Sequence, residues 1–344
     1  MSRIIHYMEM TGFNWLVPVV RLAKGENRRE QALDLFNQLG LPLIAIGIFL
    51  LLWAGAASQV KTSLGELPGP VQVWEQAGNL YDDHLRERER GEAFLERQRV
   101  RNEERLAADP TAEVRWREYT GKATFIDQIF TSLKTVFAGF VVASVIAIPI
   151  GVACGLSQKL YHAISPLVQI LKPVSPLAWL PIVTMVVSAV YVSDDPFFQK
   201  SFITSAITVT LCSLWPTLIN TAVAVGSIDR DWINVGKVIR LPLSSQVFKI
   251  AIPAALPMIF TGLRISLGIG WMVLIAAEML AQNPGLGKFI WDEFQNGSSD
   301  SLGRIMVAVL TIGFIGYPND PRTESGRTSP GVSRSFRAQQ YRFS

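Results

Sequence analysis

The stretch Ser201-Phe-Ile-Thr-Ser-Ala-Ile-Thr-Val-Thr-Leu-Cys-Ser-Leu-Trp-Pro-Thr-Leu-Ile-Asn-Thr-Ala-Val-Ala-Val225 contains no charged residue. At about 1.5 Å of rise per helical residue, roughly 20 such residues cover the ~30 Å hydrocarbon layer of a bilayer. A buried helix of a soluble protein is the rival reading, but those helices usually run about 8 to 20 residues and carry caps. The same pattern recurs outward from this run. Apolar segments near 41–58, 133–156, 167–191, 202–225, 254–281 and 303–317 predict about six transmembrane helices, hence an all-α polytopic membrane bundle. The third is interrupted by Pro173, Pro176 and Pro181, which remove backbone donors and should kink or unwind it beside protein or a water-lined path.

Composition agrees and excludes other classes. With 49% hydrophobic and 17% charged residues, the chain is too apolar for an ordinary soluble protein. The net charge of +4 comes with basic residues interleaved among acids, so no nucleic-acid partner is expected. His6, His84 and His162 all fall outside the apolar runs, and Cys154 and Cys212 stand apart within them. A membrane enzyme would need such groups to converge, so no catalytic residue, metal or cofactor is expected. The N-terminus does not fit a cleavable signal peptide. Its apolar patch, Phe13 to Leu22, suits either an amphipathic helix on the membrane surface or an ordinary cytoplasmic helix.

Lysine and arginine in short loops resist translocation and set orientation. The 226–250 loop carries Arg230, Lys237, Arg240 and Lys249, and the short turn after the second span carries Lys159. The loop after the third span has only Lys200 beside Asp194 and Asp195; the loop after the fifth has Lys288 and Arg304 among Asp292, Glu293 and Asp300. The 226–250 loop is therefore expected to be cytoplasmic, with both termini on the same side.

The predicted organisation is a cytoplasmic segment 1–40, a first transmembrane helix 41–58, a charged periplasmic insertion 59–130, a core 131–316 with five transmembrane helices, and a tail 317–344. Within the insertion, Asp82 through Arg105 alternates glutamate and arginine at spacings that suit a solvated helix, so a helical hairpin or stalk is expected, with a flexible insertion as the alternative. The tail turns abruptly to Pro, Ser, Arg and Gln, the composition of a disordered segment and one that a shifted reading frame would produce.

The cytoplasmic loop, from Asp229 to Pro257, reads as a short amphipathic helix, a turn at Leu241-Pro242 and a second helix entering the membrane. Such a helix either docks into a groove on a soluble partner or touches only headgroups. The run Pro253-Ala-Ala-Leu-Pro-Met-Ile-Phe-Thr-Gly-Leu-Arg-Ile-Ser-Leu-Gly-Ile-Gly-Trp271, then Ala276-Ala-Glu-Met-Leu280, Gly285-Leu-Gly287 and Ser175-Pro-Leu-Ala-Trp-Leu-Pro181, resembles the permease subunits of binding-protein-dependent ABC importers. Within that family the Asn-Val-Gly-Lys-Val-Ile-Arg form at 234–240 and Ile290-Trp-Asp292 look most like the nitrate members of the nitrate, sulfonate and taurine branch.

The resemblance, which covers roughly Thr131 to Ile315, implies the type I importer permease fold, a place in the bacterial inner membrane, and a translocation path for a small anion. It implies as partners a separate ABC ATPase, a periplasmic or lipid-anchored solute-binding protein, and a second permease copy, all set among membrane lipid. Nitrate is the expected substrate; a sulfonate, taurine, cyanate or bicarbonate is the alternative, and a membrane anchor or scaffold without transport is the alternative from another class. The chain has no Gly-x-x-x-x-Gly-Lys-Ser/Thr loop, so ATP hydrolysis would be supplied in trans. The family's coupling motif, Glu-Ala-Ala, three residues, then Gly, corresponds to Asn234-Val235-Gly236 and Arg240 here, a degenerate match. The implied coupling helix is Ile233, Asn234, Val235, Gly236, Lys237, Val238, Ile239, Arg240 and Leu241.

Candidate path residues are Arg264, Glu278 and Trp179. A charge at bilayer depth costs several kcal/mol and normally faces protein or a wet cavity. Arg264 and Glu278, fourteen residues apart, lie about 40° apart around a helix and about 21 Å apart along it, so both can face one path. The rival is that both sit near the two interfaces.

Overall fold

Each of the six apolar runs is helical, in whole or in large part. The structure, a computed structural model, describes residues 28–62, 65–109, 113–114, 116–192, 198–229, 231–232, 234, 238, 240–298 and 300–317. The helices are α1 (Arg28–Leu35), α2 (Leu41–Ala57), α3 (Pro70–Ala108), α4 (Phe125–Leu156), α5 (Gln158–Leu171), α6 (Pro176–Val190), α7 (Lys200–Gly226), α8 (Leu243–Ala281), α9 (Leu286–Asn296) and α10 (Ser301–Gly316). A π-turn at Phe36–Gly40 joins α1 to α2, and another at Val247–Ala251 lies within α8. Two-residue strands, β1 (Lys61–Thr62) and β2 (Gly65–Glu66), pair antiparallel before α3. The patch Phe13 to Leu22 and the tail beyond Tyr317 lie outside the described residues, as do Asp194, Asp195, Arg230 and Lys237 of the charge argument.

The chain divides between Glu75 and Gln76, inside α3. In the first unit α2 exposes apolar side chains all round, including Leu43, Ile46, Phe49 and Leu52, as a helix bathed in lipid does. Its 17 residues span about 26 Å at the usual helical rise, slightly less than a typical hydrocarbon layer.

In the second unit α4, α7 and α8 are each long and apolar enough to cross a membrane. Of these, α7 packs most closely against both α4 and α8, and the sequence shows why. On α4, Gly139, Ala143, Ala147, Gly151 and Gly155 recur every four residues and form a stripe of small side chains. The α7 backbone lies against this stripe: a methyl group on Gly139 would come within 2.7 Å of the Ala206 carbonyl oxygen, and one on Gly151 within 2.8 Å of that of Leu218. Without a hydrophobic drive between helices in lipid, such close backbone approach is a main source of packing energy.

The hydroxyls that make α7 look mixed in sequence face this core. Thr208, Thr210 and Ser213 return a hydrogen bond to the carbonyl four residues earlier, Thr210 also donates to the Gly139 carbonyl (3.0 Å), and Thr217 pairs with Ser266 of α8 (2.7 Å). Uncharged hydroxyls can be buried at little cost when they find a carbonyl or another hydroxyl, as these do; Ser205 and Thr221 of α7 are buried without a partner among the described residues.

Two expectations need correction, and a third resolves between its alternatives. The third run does not begin at 167: residues up to Leu171 belong to α5, a 14-residue amphipathic helix where a short turn was expected, and the chain bends by 100° between α5 and α6. The break falls at 172–175. Pro173 lies in it, and Pro176 sits at the first helical position, where its missing N–H costs nothing. Pro181 lies inside α6 without ending it.

The second correction concerns the segment after the fifth span, which is a helix, α9, rather than a loop. Of the hairpin and stalk expected for the insertion, the structure has the stalk: one 39-residue helix, α3, followed by a return limb without regular structure in its described residues. The limb is held along α3 by side chains. Gln98 exchanges two 2.9 Å bonds with the Arg117 backbone, and Glu87 accepts from the Tyr119 hydroxyl (2.8 Å) and the Lys122 N–H (3.2 Å). At its end His84 bonds Thr124 (2.6 Å), Arg88 pairs with Asp127, and Thr124 and Asp127 form the capping box that starts α4 eight residues before the apolar run.

Candidate functional site

Glu278 is fully enclosed at the end of α8. Its carboxylate accepts from Ser132 Oγ of α4 (2.7 Å), the Gly287 N–H of α9 (3.1 Å) and Asn283 Nδ2 (3.4 Å). Ser132 Oγ in turn accepts from the Leu286 N–H (2.8 Å), and Asn283 Nδ2 reaches Thr135 of α4 (3.2 Å). A buried carboxyl is tolerable only when its lone pairs are satisfied, and here three donors do so. The glycines of the Gly285-Leu-Gly287 motif follow from this arrangement: a methyl group on Gly285 would overlap the Glu278 carboxylate, and one on Gly287 the Ile275 carbonyl. Glu278 thus ties α4, α8 and the start of α9 together and offers no free face to a path. Ser132, Thr135 and Asn283 escaped the sequence reading. The signal was there, since a glutamate in an apolar run needs donors, but nothing local says which helix supplies them.

Arg264 stands differently. It is exposed on α8, on a stripe with Pro257, Thr261 and Met272, and has no hydrogen bond or ion pair among the described residues. Trp179 sits in the first turn of α6, whose N-cap Ser175 accepts from the Leu177 N–H (3.3 Å). Its indole Nε1 is buried without an acceptor among the described residues. No hydrogen bond brings Arg264, Glu278 and Trp179 together.

At the other end of the bundle, Asn234, Val238, Arg240 and Leu241 of the loop are described; Ile233, Val235, Gly236, Lys237 and Ile239 lie outside the described residues. Trp232, Val238 and Leu243 are exposed apolar side chains there. Arg240 adopts φ +50°, the left-handed conformation in which glycine is at home. This is the position that the sequence reading matched to the glycine of the family's loop motif, and here an arginine occupies a conformation that favours glycine. Gln246 Nε2 donates to the Leu241 carbonyl (2.8 Å) and fixes the far side of the turn.

Comparison with known proteins accords with this arrangement. A nitrate import permease protein of Synechocystis sp. is 34% identical over 275 residues, covering 80% of this chain and 83% of that relative. A nitrate import permease protein of Synechococcus elongatus is 35% identical over 193 residues, 56% of this chain and 65% of that relative. A bicarbonate transport system permease protein of Synechococcus elongatus is 39% identical over 191 residues, 55% of this chain and 63% of that relative. Residues 147–317, from the middle of α4 through α10, match the family described as binding-protein-dependent transport system inner membrane component. By this match and by 34% identity across four fifths of its length to a permease of that kind, the chain belongs to this family of ABC importer permeases.

Proposed function

We propose that this chain forms the translocation path of an ATP-driven importer for nitrate. The observation that carries the reading is the 275-residue similarity to a nitrate import permease, which extends beyond the core shared with other relatives. Arg264, a cation without an ion pair among the described residues, on the exposed side of a membrane-crossing helix, lowers the desolvation cost of a monovalent anion on that path. The Trp179 indole N–H, buried and without an acceptor, is a second donor available to the path. Glu278 has a positioning role.

In this reading the 226–250 loop and both termini are cytoplasmic and the α3 insertion lies outside. The segment 233–241, with Val238 exposed within it and Trp232 exposed beside it, seats in a cleft of a separate ATPase subunit. ATP binding then draws two coupling helices together and tips paired permease copies from inward-open to outward-open. A solute-binding protein delivers the anion.

A second reading, bicarbonate, is favoured by the 39% identity to the bicarbonate relative. Uptake of labelled nitrate and labelled bicarbonate after deletion of the gene, in a strain lacking other transporters for each, separates them. Nitrate uptake is expected to fall and to return with the wild-type gene but not with Arg264→Gln. Unchanged nitrate uptake with lost bicarbonate uptake selects the second reading, and loss of neither leaves a sulfonate, taurine or cyanate, or a scaffold.

A further inference from the structure

At the end of the bundle that carries the 226–250 loop, a groove runs between α5 and α7. Along α7 it is lined by Leu218, Ile219, Ala222, Val223, Gly226 and Ser227, adjacent pairs that recur every four residues on one face. Its mouth, about 400 Å³, adds Gly155 at the end of α4 and Gln158 and His162 of α5. Its depth, about 140 Å³, is walled on the α5 side by Ile164 and Val168 and by Ser165 and Gln169, which bond each other (3.0 Å). Cys154 and Tyr161 line both parts, so the two adjoin.

Polarity falls along this groove in step with the bilayer. The helices α4 and α7 end at Leu156 and Gly226, and a serine follows each, so the mouth lies at the edge of the hydrocarbon. From Ser227 back to Leu218 the groove follows α7 for about 13 Å, close to the half-thickness of a ~30 Å layer. On its outer side α5 exposes Leu160, Leu167 and Ile170, so acyl chains reach the groove. We propose that the groove binds one phospholipid with an anionic headgroup, an acyl chain lying along Leu218, Ile219 and Val223 and the headgroup resting at the mouth. An empty apolar depth loses packing contacts, and water there finds few partners because Ser165 and Gln169 already have each other. Charge sets the headgroup: residues 157–172 and 200–228 contain no acid, and Lys159 stands beside Gln158 of the mouth. Asp229, the next carboxylate along the chain, accepts from the Asp231 N–H (3.1 Å). Arg264 does not line the groove, so the lipid site stands whichever anion is carried.

The test is native mass spectrometry of the purified full chain, released from nanodiscs that hold phosphatidylglycerol and phosphatidylcholine in equal amounts. One phosphatidylglycerol per chain is expected to stay bound after the other lipids dissociate. Val223→Phe fills the depth from α7 and Ser165→Phe fills it from α5. Each is expected to abolish that retention while the melting temperature holds, and the pair keeps the test decisive if one variant does not fold. Val145→Phe, on an exposed face of α4 outside the groove, is the control and should retain the lipid. Lys159→Gln is expected to narrow the preference for phosphatidylglycerol about fivefold. Absence of a retained lipid on the wild-type chain overturns the proposal, as does the same retention in the groove-filling variants as in Val145→Phe, which means ordinary bilayer lipid only. Equal retention of both lipids by the wild-type chain, or an unchanged preference in Lys159→Gln, overturns the assignment of an anionic headgroup.

Discussion

Replacing Ser132 by alanine tests whether the enclosed Glu278 is a structural tie. The substitution deletes one oxygen, and two bonds go with it: the 2.7 Å donation to Glu278 and the 2.8 Å acceptance from the Leu286 N–H. A hydrogen bond to a charged acceptor contributes about 1.5–3 kcal/mol, and a buried N–H left without a partner costs about 1–3 kcal/mol. Membrane proteins commonly give less, about 0.6 kcal/mol per interhelical bond, because the unfolded chain in lipid finds other partners. Glu278 and the α9 start can find few, being fully enclosed, so a loss of about 3 kcal/mol is expected. Ser144→Ala is the control, since that hydroxyl only returns a 2.7 Å bond to the Phe140 carbonyl of its own helix. Denaturant unfolding in mixed micelles measures both. Amide exchange at Leu286 and Gly287 should rise in Ser132→Ala alone. Equal stabilities of the two variants, with unaltered exchange at α9, would refute the tie.

Arg240→Gly should keep or slightly raise thermal stability. Relief of the left-handed strain, about 1 kcal/mol, is offset by the freedom glycine gains when unfolded, about 0.4–1 kcal/mol. Arg240→Val should lower it, and a melting curve showing the reverse order contradicts the turn geometry. Gly287→Ala pushes a methyl group into the Ile275 carbonyl, an overlap expected to cost about 1–3 kcal/mol; an undisturbed melting temperature counts against the packing at α9. The return limb should respond to pH at both extremes. The Tyr119 hydroxyl, helped by Arg90 and the Lys122 N–H, holds the Glu87 carboxyl below its ordinary 4.5, and the same bond raises Tyr119 above 10.0. The depressed acid contributes above its ordinary value and loses that contribution as pH falls through its folded one. The raised tyrosine contributes fully below its ordinary value and loses that contribution as pH rises through its higher folded one. Protection of the Lys122 amide should therefore hold from about pH 5 to about pH 10 and fall only beyond those limits; a midpoint near neutrality would contradict the Glu87–Tyr119 link.

The six apolar runs were legible because bilayer thickness imposes a length that composition alone can meet. Their ends were less so. The 133–156 run starts at Phe125 because Thr124 and Asp127 cap the helix well before its apolar part begins. At the third run, three prolines announced a break, but only the position of each within a helix decides its effect: Pro176 opens α6, while Pro181 is carried inside it. The insertion's Glu and Arg spacing gave a helix. It could not give the return limb, whose course depends on Gln98 and Glu87 meeting residues 19 to 35 positions away.

Membrane residence, helical class and family were determined by the sequence, since each rests on local apolarity, spacing or motif. The stripe of small residues on α4 and the hydroxyls on α7 were visible as letters, yet their meeting is a property of two helices brought within backbone distance. Glu278 and Arg264 show the difference most sharply. In sequence they are equivalent, two ionisable residues on one apolar helix. Only the tertiary structure encloses one among donors from α4 and α9 and leaves the other exposed, because the fate of a buried charge depends on groups that other helices bring to it.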